Sequence, residues 1–142
     1  CRLVREETAF DIQLRLVGLC DYTLLNLLNS CSYEWIYFNN RKLDPIEYLG
    51  EIYNSDIVMI VYENRGSSGV LTDALALKRK VIIFTSRIFK NMFITLRGTV
   101  FPCKLNAVSI KESIILALNQ NSQTELPSKI ELKNVFDIIT EL

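Results

Sequence analysis

Hydrophobic and polar positions along the chain switch between a period of two and a period near 3.6, and the switches mark the elements. Residues 10–18, FDIQLRLVG, alternate, turn apolar and end in Gly18, which predicts a first strand feeding a tight turn. Asp21 can cap a helix from Tyr22 to about Asn29 whose buried face is Leu24, Leu25, Leu27 and Leu28. Residues 35–38 form a short aromatic strand. After a polar turn at 39–42, Asp44 at N-cap and Pro45 at the first helical position open a helix to about Asn54. Residues 56–62 are almost unbroken in their apolar character, and 81–84 repeat it, the pattern of parallel strands covered on both faces. Between them, Gly66-Ser67-Ser68-Gly69 precedes a helix over 70–77, with Val70, Leu71, Ala74, Leu75 and Leu77 largely on one side. Further along, the pattern predicts a helix over 88–96, a strand over 99–102, and an amphipathic helix over 109–119 with Ser109 at N-cap and Glu112 at the capping-box position. Residues 119–128 are polar and contain Pro127, and 132–142 form a last helix with Val135, Phe136, Ile138 and Ile139 apolar.

Strands alternating with helices at this spacing predict an α/β protein with a doubly wound, Rossmann-like parallel sheet. The expected organisation is a linker or remnant of a preceding element at 1–9, one Rossmann-like domain over 10–119, and a connection with a C-terminal helix over 120–142. The chain opens on Cys1, without an initiator methionine, and is expected to be a piece of a larger protein.

Composition narrows the function classes more than the fold. With 142 residues, 49% apolar and 23% charged, the chain can bury a core of its own. Sixteen basic and sixteen acidic residues cancel, so no global field recruits nucleic acid, and Lys78-Arg79-Lys80 is expected to be a solvated helix end. No apolar stretch approaches the roughly 18 residues that cross a bilayer, and no leader pattern opens the chain, so a cytoplasmic location is expected. Any peripheral membrane association would come only through regions outside this chain. Histidine is absent, which removes imidazole as a catalytic base, and Cys1, Cys20, Cys31 and Cys103 lack the C-x-x-C spacing of a zinc site. Cys20 and Cys31 are expected to be small buried hydrophobes.

The common phosphate motifs are absent. G-x-x-x-x-G-K-[ST] does not occur, and Gly66 with Gly69 is not G-x-G-x-x-G. There is no Asp-x-Asp to hold a divalent ion, and no G-x-S-x-G elbow. What remains is a strand, a glycine-serine turn and a helix, an arrangement that aims backbone N–H groups and the positive end of a helix dipole at an anion beyond the strand tip.

The order of the pieces resembles the C-terminal, donor-binding half of GT-B glycosyltransferases of the group 1, family 4-like type. That half reads as a strand ending in glycine, a helix, an aromatic strand, an "lG-x-l" turn, "el-x-x-ly-x-x-aD-v" and a loop with "EAlA-x-G-x-pVi". The matching pieces are LRLVG at 14–18, YFNNRKLDPIEYLGEIYNSDIVMIVY at 37–62 and SSGVLTDALALKRKVIIF at 67–84, and the likeness covers residues 10–119. The resemblance implies that the substrate is a nucleoside-diphosphate sugar, with no cofactor or metal, and that the partner is an N-terminal, acceptor-binding domain of the same protein. It implies that Ser67, Ser68, Gly69 and Val70, with Gly18, cradle the nucleotide and its phosphates, that Asp73 binds the ribose, and that Glu63 and Arg65 lie toward the sugar. Arg65 stands where the first glutamate of the family's E-x7-E pattern falls, a departure, and the family's preceding strand and helix with their Arg and Lys have no counterpart. No catalytic residue is assigned.

Each of these residues also has a reading without a ligand. Ser68 and Gly69 serve equally as a cap and its turn, Asp73 suits a first or second helical turn whatever it binds, and Gly18 suits any turn. The aromatic residues Tyr33, Trp35, Tyr37 and Phe38 read as packing before they read as a platform for bases. Arg87 falls at a strand edge where it could meet an anion or solvent. The competing function is a non-catalytic Rossmann-like interaction or regulatory domain with a degenerate site.

Overall fold

The computed structural model describes residues 2–8, 10–30, 33–60, 69–84 and 98–120. They form a mixed α/β structure of parallel sheets and helices in two compact units, Cys1–Tyr48 and Leu49–Leu142. The helices expected at 88–96 and 132–142 fall outside the described residues.

The first unit begins with helix α1 (Arg2–Glu7), in which Val4 is fully buried and Thr8 closes the end by donating its N–H and Oγ to the Val4 carbonyl, at 2.9 and 2.8 Å. Strand β1 (Leu14–Val17) pairs parallel with β2 (Ile36–Asn39), with Leu14 opposite Ile36 and Val17 opposite Asn39. Helix α2 (Tyr22–Asn29) lies between them in sequence and spans the predicted residues. The second strand starts at Ile36, one residue later than its pattern suggests, because Trp35 lies in the turn that precedes it. Side chains two apart share a sheet face, so Leu14, Leu16, Ile36 and Phe38 form one half-buried face while Arg15 and Tyr37 stand exposed on the other.

Helix α3 (Pro45–Tyr53) starts as predicted. Asp44 Oδ1 accepts from the N–H groups of Ile46 and Glu47, at 2.8 and 2.9 Å, and Glu47 Oε2 accepts in return from the Asp44 N–H at 3.2 Å. This reciprocal pair is a capping box, which occupies donors that no helical carbonyl can reach. Arg41 closes on the same carboxylate with two 2.7 Å contacts.

In the second unit β3 (Ile57–Ile60), β4 (Lys80–Phe84) and β5 (Val100–Cys103) form a parallel sheet in the order β3-β4-β5. Three successive residues of the central strand, Val81, Ile82 and Ile83, are at most 2% exposed. Successive side chains point to opposite faces, so this strand is covered on both, as its apolar run predicts. Helix α4 (Gly69–Ala76) contributes Leu71, Ala74 and Leu75, and helix α5 (Ala107–Asn119) contributes Ile114 and Ala117 to the same core.

Three local features differ from the sequence reading. The N-cap of α5 is Asn106, whose side chain accepts from the Ser109 N–H at 2.8 Å, while Ser109 sits one turn inside and its Oγ accepts from the Lys104 N–H at 3.0 Å. Both residue types are good caps, and periodicity cannot choose between candidates three residues apart. The basic run is not a simple solvated end. After α4, the Lys78 N–H bonds the Leu75 carbonyl and the Arg79 N–H bonds the Ala74 carbonyl, at 3.0 and 2.8 Å, with Lys78 at φ 55°. This is a Schellman closure with lysine in the left-handed position that glycine usually fills. Arg79 then lies over the Tyr53 ring at 4.7 Å, and Lys80 Nζ donates to the carbonyls of Ala117 and Gln120 at 2.6 and 2.7 Å, closing the end of α5. Finally, Cys20 is half-buried and polar in its contacts, whereas Cys103 is the buried thiol, with its pKa pushed up by burial. Cys1 and Cys31 fall outside the described residues.

Candidate functional site

The turn that joins Leu77 to Arg79 leaves three residues between α4 and β4, so the carboxyl end of the helix sits at the start of that strand. Since α4 packs on β3 and β4 and the two strands run parallel, its amino end faces the carboxyl edge of the sheet. That edge is where ligands meet open α/β sheets, and a helix amino terminus there presents first-turn N–H groups without helical acceptors and the positive end of its dipole.

Gly69 opens the helix and is exposed, and among the described residues no atom lies within 4 Å of a Cβ built on it. Val70 is half-buried and Leu71 fully buried, which anchors the first turn. Asp73 lies one turn in, half-buried, and its carbonyl accepts from the Leu77 N–H at 2.9 Å. The structure thus puts Gly69, Val70 and Asp73 on one short helix, while Glu63, Arg65, Ser67 and Ser68 fall outside the described residues.

Gly18 belongs to the first unit. It has φ +130°, a conformation that side chains rarely adopt, and its N–H donates to the Asn39 carbonyl at 3.1 Å. Nothing lies within 4 Å of a Cβ built there, so backbone conformation rather than crowding calls for glycine. The turn is secured by the residue that follows β2, Asn40, whose Oδ1 accepts from the Cys20 N–H at 3.1 Å. Asn40 and Lys80 are the positioning residues that the sequence did not reveal. Their partners are 20 and at least 37 residues away, beyond the reach of any local pattern.

The aromatic residues have partners inside the protein. Tyr33 and Trp35 have ring centroids 5.4 Å apart, and Arg15 lies 4.2 Å over the ring of Tyr37, its registered neighbour on β2. Packing and a cation–π contact account for them. Arg87 falls outside the described residues.

Among the described residues, no group of three or more His, Cys, Asp or Glu is arranged to hold a metal ion, and no helix is long and apolar enough to cross a membrane. No family model, curated protein or solved structure matches the chain.

Proposed function

We propose that this chain is the donor-binding domain of a glycosyltransferase, built on a doubly wound sheet that corresponds to one half of a GT-B enzyme and working in the cytoplasm. It takes a nucleoside-diphosphate sugar and presents it to an acceptor held by another domain of the same protein. The observation that carries the reading is the parallel crossover from β3 through α4 to β4, with an open glycine at the amino end of α4 facing the carboxyl edge of the sheet.

In this reading the diphosphate lies on the Ser67, Ser68, Gly69 and Val70 backbone. As the glycosidic bond breaks, the leaving diphosphate gains charge, and N–H dipoles already aimed at it stabilise that charge without reorganising. Asp73 accepts from two ribose hydroxyls, which a carboxylate can do because both of its oxygens are acceptors. Glu63 and Arg65 face the sugar. Transfer needs no metal, and this chain alone transfers nothing. A second reading, a non-catalytic interaction or regulatory domain, is favoured by Arg65, which stands where the resembling enzymes carry glutamate.

Calorimetric titration of the chain with uridine and guanosine diphosphates tests the proposal, beside Asp73→Ala and Asp73→Asn and with thermal melts as the folding control. A charge-assisted hydrogen bond contributes about 1.5–3 kcal/mol, so Asp73→Ala is expected to weaken binding by about ten- to a hundredfold. Asp73→Asn keeps size and helix position, and should lose affinity with little change in melting. No binding of either nucleotide to the wild type at millimolar concentration would favour the non-catalytic domain. Binding by the wild type that Asp73→Ala leaves unchanged would remove the ribose role alone.

A further inference from the structure

No further inference is drawn: the strongest candidate, the apolar pair Ile46 and Leu49 exposed along helix α3, carries nothing because nothing in the structure shows what covers it.

Discussion

The two sheets share a parallel pairing and differ in what their strands bury. In β1 and β2 the second residue of each strand, Arg15 and Tyr37, is exposed and the other positions are only half-buried. In β4 consecutive residues are buried on both faces. Among the side chains whose burial is described, the first unit buries Val4 fully, whereas the second unit buries Ile52, Ile60, Leu71, Ala74, Leu75, Val81, Ile82, Ile83, Val100, Phe101, Ile114 and Ala117 below a tenth of their surface. A parallel ladder by itself therefore says little about stability. The covered faces supply it, at about 1.5–3 kcal/mol for each large aliphatic side chain taken fully out of water.

The largest test of that difference is a pair of truncations. Ile82→Ala removes a fully buried side chain from a strand packed on both faces, and should cost about 2–5 kcal/mol in denaturant unfolding. Leu16→Ala, at a half-buried site on β1, should cost less than half as much, because the cavity it leaves is open to water. Equal losses would mean that the first sheet is as tightly packed as the second, and would break the comparison.

These contrasts also mark what the sequence could tell. The apolar run at 81–84 reads correctly as a covered strand because Val81, Ile82 and Ile83 are buried on both faces, whereas the run at 56–62 gives a described strand over Ile57–Ile60 that is half-buried except at Ile60. The start of α3 was equally legible, since Asp44, Pro45 and Glu47 act within four residues of each other. The hand-over of Lys80 to the end of α5 was not, because it depends on two elements meeting in space. At the candidate site, glycine at the opening of α4 and Asp73 one turn later were visible as types and spacing. Types and spacing do not distinguish a cap from a ligand site, because a cap and a phosphate cradle call for the same residues.

A smaller effect separates two neighbouring candidates for the α5 cap. Asn106→Ala removes the acceptor of a first-turn N–H and should cost about 1 kcal/mol, within the usual range for caps. Ser109→Ala removes only an exposed acceptor for the Lys104 N–H and should cost less. Urea unfolding of both variants reads the order, and the reverse order would return the cap to Ser109.

Smaller still is the closure of α4. Lys78→Ala and Lys78→Gly both delete the ammonium group, so the difference between them reports the φ of 55°. A side chain in the left-handed region is disfavoured by about 1–2 kcal/mol, offset by about 0.5–1 kcal/mol for the greater freedom of unfolded glycine. Glycine should therefore be the more stable of the pair by about 0.5 kcal/mol, opposite to the order inside a helix, where alanine is preferred by about 1 kcal/mol. Thermal melts in which alanine exceeds glycine would mean that Lys78 has left that conformation.

The smallest expected effect lies in the first unit and depends on pH. Glu47 accepts from Arg41 and from the Asp44 N–H, and these bonds hold its pKa down to about 2, against an ordinary value of 4.5. Because the folded value is the lower one, the capping box and ion pair contribute above pH 4.5, and their contribution falls away as pH drops through about 2. Both side chains are well exposed, so the effect on global stability is screened by solvent and ions. The sensitive measurement is therefore local: the Glu47 carboxyl followed by NMR through acid titration, in wild type and in Arg41→Gln. The wild type should titrate well below an ordinary glutamate and Arg41→Gln should move it upward, since the guanidinium hydrogen bond is the largest cause of the depression. An ordinary titration in the wild type would mean that the α3 start is open in solution, and would widen the contrast between a loosely held first unit and a packed second one.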